Sequence, residues 1–210
     1  MYLQSGGPET VTPLWPPEPD ALSYRLPQYR LELRFEPTDF VQVNGAVNRA
    51  LISRAVELLA PNRRDRVLDL YCGLGNFTLA LAQAAGEIVG LELSEGLVRR
   101  ARANARHNNI RNVAFYQADL ASPREWQSWL TRRWDKVLLD PPRSGSPTMM
   151  QALGAPGPSR ILYVSCNPLS LGRDARILVS QQGFRLTHAG IVDMFPHTSH
   201  VEAIALFHAR

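Results

Sequence analysis

Cys166 stands in R-I-L-Y-V-S-C-N-P-L-S-L-G-R-D, residues 160–174, where an apolar run from Ile161 to Val164 breaks off into Ser165, Cys166, Asn167 and Pro168. A β-branched run of that length, stopped by a turn signal, reads as a buried strand. The thiol then falls at a strand's carboxyl end, the edge at which open α/β sheets bind ligands. A free cysteine is more often a small buried filler, so its company decides the reading. Glu92 ends the run Ile88–Leu93, about 20 positions beyond the turn at Gly73 and Gly75. A carboxylate there can accept both ribose hydroxyls of an adenosine-bearing cofactor. Asp119 closes the run Val113–Ala118 and could accept from an adenine amino group, although Asp before a helix commonly caps it. Asp140 follows Val137–Leu139 and is fixed by Pro141 and Pro142, which stop both helix and ladder. Glu202 opens the last apolar run, Val201–Phe207.

The elements that must hold these groups follow from periodicity. Residues 1–39 are rich in Pro and Gly, with one alternating strand at Leu31–Phe35, and read as the tail of a preceding central domain plus linker; residues 40–210 read as the main domain. Gln42 and Asn44 lie on a loop before a helix over Ala46–Leu59, whose apolar face is Val47, Ala50, Leu51, Ala55, Leu58 and Leu59. Val67–Tyr71 is a strand with Asp69 inside it, and Phe77–Ala85 is the helix after the Gly turn. Such a turn lets a ligand use the free amides of the helix start. It lacks the third Gly of the dinucleotide fingerprint.

Ser94 caps a helix running to about His107. Trp126, Trp129 and Trp134 surround the next helix as packing residues. Arg143–Ser159 is a helix with Gly and Pro breaks, Leu169–Gln182 a helix ended by Gly183, and Phe184–Met194 is extended. Strand and helix alternate five times and two strands close the chain, which is a doubly wound α/β sheet.

The chain has 210 residues, 45% hydrophobic and 20% charged, which suits one folded domain with an appendage. No apolar run is long enough to span a membrane, and Met1–Pro8 carries no secretory signal, so a cytoplasmic location is expected. Two widely spaced cysteines, Cys72 and Cys166, make neither a disulfide scaffold nor a metal-site pattern. His197 and His200, three apart without partners, are not read as metal ligands either. The formal charge is +4 and the pI near 9.4, carried almost wholly by dispersed Arg. That raises the prospect of a nucleic-acid partner only slightly.

The segments D-L-Y-C-G-L-G-N-F, D-P-P-R-S-G, S-C-N-P-L-S-L-G-R-D and F-P-H-T-S-H-V-E resemble the signatures of S-adenosylmethionine-dependent RNA uracil-5-methyltransferases. F-V-Q-V-N, S-C-N-P and D-M-F-P-H-T are most similar to the bacterial 23S ribosomal RNA (uracil-5)-methyltransferase D group, and the likeness covers about residues 1–208. The resemblance implies a mostly parallel seven-stranded, Rossmann-like sheet of the class I methyltransferases with a short N-terminal β extension. It implies S-adenosyl-L-methionine as cofactor, RNA as partner (23S ribosomal RNA foremost, a transfer RNA uridine as the alternative), no DNA, no metal, and a monomer. Cys166 would add to carbon 6 of uracil and Glu202 would remove the proton from carbon 5. Gln42, Tyr71, Asn76, Glu92, Asp119 and Asp140 would line the cofactor, with Phe40 against the target base. The thiol is expected in an electropositive, accessible site that ionises it. The uridine must be flipped out or taken from a loop.

Ser170 and Gly172 depart from the Thr and Ala more usual in that segment. The N-terminal RNA-binding barrel and the central four-cysteine iron–sulfur domain of the family are not expected in this chain, and neither is the cluster. Two rivals share the sheet. An amino-group methyltransferase would carry an aromatic residue where Arg143 follows Pro142. A cofactor-binding remnant without turnover need keep neither Cys166 nor Glu202.

Overall fold

The structure is a computed structural model describing residues 1–154, 157–198 and 200–210. Two short hairpins come first: β1 (Tyr2–Gln4) with β2 (Val11–Pro13), then β3 (Leu22–Leu26) with β4 (Leu31–Phe35). They are followed by α1 (Gly45–Leu59), β5 (Arg66–Leu70), α2 (Thr78–Leu81), β6 (Glu87–Glu92), α3 (Glu95–His107), β7 (Val113–Gln117) and α4 (Pro123–Leu130). The chain closes with β8 (Lys136–Leu139), α5 (Pro147–Ala152), β9 (Arg160–Ser165), α6 (Pro168–Gln181), β10 (Phe184–Val192) and β11 (Glu202–Ala209).

The main sheet has seven strands in the order β10-β11-β9-β8-β5-β6-β7, with β11 antiparallel to both neighbours and the rest parallel. This is the expected doubly wound α/β class. Alternation explains why both faces are covered. Val67, Ile88, Leu138, Leu162 and Val164 point to one layer, with Leu51, Ile52 and Ala55 of α1 and Val98 and Ala101 of α3. Leu68, Leu70, Val89, Val137, Leu139 and Ile161 point to the other, with Trp126 of α4, Met149 and Met150 of α5 and Leu178 of α6. Strands buried on both sides read as near-continuous apolar runs, which is what made them visible in the sequence. Cutting one of these buried leucines to Ala removes about 2–5 kcal/mol.

Some expectations shift. On α1, Ala50 is exposed and Ile52 takes its place on the buried face. The Phe77–Ala85 helix is confined to α2. Beyond it the backbone tightens to three-residue bonds (Gln83 N to Ala80 O, Ala84 N to Leu81 O), and Asn112 Nδ2 takes the carbonyls of Ala82 and Ala85. Of Arg143–Ser159 only α5 is helical; Ala155 and Pro156 lie outside the described residues. Trp126 and Trp134 are buried, as packing residues should be. Among the described residues no helix is long and apolar enough to cross a membrane.

The alternation at Leu31–Phe35 predicts only the second strand of the β3–β4 hairpin; Leu22–Leu26 supplies the first. The hairpin buries Leu26, Leu31 and Leu33 in the same core layer as α1 and α3. α3 supplies the edge of β4 with side-chain amides. Asn104 pairs with both the N–H (2.9 Å) and the carbonyl (3.1 Å) of Arg34, and Asn108 with those of Glu32 (2.9 and 2.8 Å). Spaced i and i+4 on one helical face, two asparagines imitate a further strand.

Candidate active site

Strand register brings the singled-out residues to one edge. Leu70 pairs with Leu91 on β6 and Leu139 on β8, so Tyr71, Glu92 and Asp140 are the residues just past those rungs. Leu139 pairs with Tyr163. β11 runs the other way, and its Ala203 pairs with Ser165, so the next residues outward are Glu202 and Cys166. A cleft of about 460 Å³ opens there, lined by Gln42, Tyr71, Asn76, Glu92, Asp140, Cys166 and Glu202, with Phe40 at its wall.

One end of the cleft is built on the Gly turn. Gly73 (φ +55°) and Gly75 (φ +96°) hold left-handed backbone, and a Cβ on Gly73 would meet nothing within 4 Å, so its backbone faces open space. Tyr71 shares that region at φ +65°, an uncommon state for a bulky residue, and its hydroxyl lies 2.8 Å from Ser146 Oγ. The Glu92 carboxylate accepts from Gly73 N (3.1 Å) and Ser94 N (2.9 Å), which fixes its orientation. Asn76 forms a reciprocal amide pair with Asn48 (3.1 and 3.0 Å), and its Oδ1 also accepts from Tyr24 of β3 at 2.8 Å. That leaves one amide hydrogen of Asn76 for a ligand. Gln42 Oε1 is buried with no partner among the described residues. A buried acceptor without a donor costs on the order of 1–3 kcal/mol, which a ligand amine or hydroxyl would recover.

Acids dominate the other end. Burial pushes Asp140 up to about 7, with Glu202 and Asp69 adding to the rise. Asp69, enclosed below with Oδ2 on Thr78 (2.5 Å) and Oδ1 unpartnered, is also pushed to about 7 by burial. Glu202 is 3% exposed, its Oε2 has no partner among the described residues, and burial raises it. The Cys166 thiol is half-buried and raised by burial, then by Glu202 and Asp140; Arg143 opposes them. The electropositive setting expected for this thiol is therefore not found, because two carboxylates outweigh one guanidinium. The ionised form of Asp140, whose affinity for a proton is raised by burial, can instead receive the thiol's proton.

Asp119 is set apart from the others. It is not among the residues lining the cleft, and its Oδ1 accepts from Ala121 N at 2.9 Å, a turn-capping role. His200 faces Arg143, with Nδ1 3.1 Å from Nη1. Tyr24, Asn48, Cys72 and Arg143 belong to the site or its support and were not singled out for it. For Tyr24 a signal existed in the Leu22, Tyr24, Leu26 alternation, and for Asn48 in a polar residue on the buried face of α1.

The family model described as tRNA (Uracil-5-)-methyltransferase matches residues 22–210. The chain belongs to that family. Among curated relatives of the chain, the 23S rRNA (uracil(1939)-C(5))-methyltransferase RlmD of Xanthomonas axonopodis pv. citri is 53% identical over all 210 residues, and that of Stenotrophomonas maltophilia (strain R551-3) is 51% identical. Each match covers 47% of the relative, so the chain spans about half the length of the curated relatives it matches. Among solved structures, the Pyrococcus abyssi tRNA (uracil-54, C5)-methyltransferase in complex with S-adenosyl-L-homocysteine has TM-score 0.76 and 29% identity over 90% of this chain and 44% of that one. TYW2 of M. jannaschii (TM-score 0.67, 14% identity, 95% of this chain and 91% of that one) shares the fold.

Proposed function

We propose that the chain transfers a methyl group from S-adenosylmethionine to carbon 5 of a uridine in 23S ribosomal RNA, acting in the cytoplasm as a monomer. The reading is carried by one observation: a thiol, a buried carboxylate with an oxygen unpartnered among the described residues, and a second carboxylate share one cleft with a Gly turn and an oriented acid. The curated relatives, at just over half identity, are named for 23S rRNA. The more distant solved relative and the family description name tRNA, which makes a transfer RNA uridine the second reading.

The donor supplies an electrophilic methyl group on a sulfonium. Glu92 would accept from its ribose hydroxyls, Asn76 and Gln42 would meet its polar groups, Tyr71 and the Gly turn would bound it, and Asp119 would reach the adenine amino group from the margin. Cys166 gives up its proton to the ionised form of Asp140, which leaves Glu202 free, and its sulfur bonds to carbon 6 of the pyrimidine, sending the ring's electron pair toward carbon 5 and the carbonyl at carbon 4. Carbon 5 thereby becomes the nucleophile for the methyl group. Glu202 then takes the proton from carbon 5, and the electrons left behind restore the double bond and expel the thiolate.

The test is RNA bearing 5-fluorouridine at the target. Fluorine leaves carbon 5 with no proton to lose, so the protein should remain bonded to RNA in an adduct that requires both S-adenosylmethionine and Cys166. Failure to form it where a full-length relative does would favour a cofactor-binding module without turnover.

A further inference from the structure

Asp174 is fully buried on the second turn of α6 and is not among the residues lining the cleft. Its Oδ2 accepts from the backbone N–H of Ser146 (2.6 Å) and the hydroxyl of Tyr163 (2.7 Å), and its Oδ1 from Arg173 Nε (2.9 Å) and Nη2 (2.7 Å). Arg173 Nη2 reaches on to the carbonyl of Ser144 at 2.7 Å, and Asn167 Nδ2 donates to the carbonyl of Arg143 at 3.0 Å. Three side chains of the segment after Cys166 thus grip the backbone of the loop after β8 at Arg143, Ser144 and Ser146. Gly145 lies between two of these points at φ +73°, and a Cβ there would come 2.5 Å from Asp174 Oδ2. The loop is therefore pressed against the carboxylate. Ser146 extends the connection through its 2.8 Å contact with Tyr71 to the Gly-turn end of the cleft.

A buried carboxylate is costly unless its hydrogen bonds are all made, and these are spent on the Ser146 amide, the Tyr163 hydroxyl and the Arg173 guanidinium rather than on a ligand. What they fix is the position of one active loop against another. We propose that Asp174 is a positioning residue that, with Arg173, sets the separation between Asp140 and Arg143 on the β8 loop and Cys166 on the β9 loop. The proposal rests on the function proposed above, in which groups from both loops must close on one pyrimidine ring. Bond formation depends steeply on such separations, and a misplacement of about 1 Å can cost about 100-fold.

The test compares the full chain with Asp174→Asn, whose amide offers one acceptor oxygen and so cannot serve both the Ser146 and the Arg173 sides. Two quantities are read: the rate constant and amplitude of adduct formation with 5-fluorouridine RNA at saturating RNA and S-adenosylmethionine, and amide exchange of the peptide spanning residues 140–146. The expected result is a rate constant lower by about 10- to 100-fold, a half-saturating RNA concentration within about twofold, and faster exchange in that peptide. Tyr163→Phe, which removes a bond to the same carboxylate while leaving those of Ser146 N and Arg173 to it in place, should keep the rate constant within about twofold. A merely structural role would lower the amplitude, which counts folded molecules, and leave the rate constant alone; that result overturns the proposal. Should Asp174→Asn fail to fold, Arg173→Ala removes the grip on Ser144 from a half-exposed side chain, and unchanged exchange with an unchanged rate constant overturns it equally. If the unsubstituted chain forms no adduct at all, the proposed function fails, and the exchange measurement still decides whether the clamp exists.

Discussion

Glu202 and Cys166 are each one residue beyond the rung that pairs Ala203 of β11 with Ser165 of β9. The antiparallel return of the last strand is what sets a carboxylate beside the thiol, since a parallel strand would carry residue 202 to the opposite edge of the sheet. Burial first, and this carboxylate next, hold the thiol above its ordinary range. Replacing Cys166 with Ala should abolish adduct formation and methyl transfer while leaving the affinity for S-adenosylhomocysteine within about twofold. Radioactive methyl transfer and calorimetry check the two halves, and residual transfer near the unsubstituted rate would remove the covalent route.

Glu202→Gln separates the two steps. Methyl transfer should still occur once, but release should slow, so that protein accumulates on ordinary uridine RNA in a gel shift resistant to denaturant. Because burial raises Glu202 above its ordinary value, the base form is lost early on acidification: turnover of the unsubstituted chain should fall as pH drops through that raised value. Free turnover by the Gln variant would assign the base elsewhere.

Glu92 tests the other end of the cleft. Glu92→Ala would strand the N–H groups of Gly73 and Ser94, which it now holds at 3.1 and 2.9 Å, and remove the ribose acceptor. Cofactor affinity should fall by roughly 2–3 kcal/mol, the range for hydrogen bonds to a charged group. Calorimetric titration with S-adenosylhomocysteine reads this directly, and a loss under threefold would mean that the ribose is held by other groups.

The sequence carried the sheet because its strands are buried on both faces, and it carried the edge residues because each follows such a run. Side-chain environments were less legible. Glu92 and Asp119 each follow a strand run by the same rule, yet Glu92 turns its oxygens to two amides within the cleft while Asp119 spends only Oδ1 on the amide of Ala121. Spacing along the chain does not distinguish these outcomes. The thiol's acidic surroundings depend on β11 lying next to β9, a long-range pairing with no local signal. The support from Tyr24, Asn48 and Asn104 comes from polar residues on otherwise apolar faces, whose partners lie 28 to 70 positions away.

Asp69 should make the stability of the ligand-free chain depend on pH. Its folded value is raised from 3.8 to about 7, so between those values the folded chain keeps a proton that the unfolded chain has released. This contribution to stability is complete below the window and is lost as pH rises through it. Asp69→Asn cannot ionise and can still accept from Thr78. It should therefore exceed the unsubstituted chain in stability by roughly 1–3 kcal/mol at pH 8 and match it near pH 4. Urea midpoints at the two pH values check the sign; an equal difference at both would show that Asp69 carries no buried charge.

Asn104 joins the hairpin, α3 and the Gly turn: its amide holds both backbone groups of Arg34, and Nδ2 also reaches the carbonyl of Leu74 at 3.2 Å. It is 1% exposed, so water cannot readily replace these bonds. Asn104→Ala should cost roughly 2–4 kcal/mol in unfolding free energy, from stranded buried groups rather than lost apolar area. Because β3 carries Tyr24 to Asn76, the same change should weaken S-adenosylhomocysteine binding several-fold, whereas Asn108→Ala, which frees Glu32 and the carbonyl of Asn104 but leaves the Asn104 side chain on Arg34 and Leu74, should leave that affinity nearly intact. Denaturant unfolding and calorimetry on the two variants decide it: equal affinity losses would mean that the hairpin moves as a unit, and none in Asn104→Ala would show that the Gly turn stands without it.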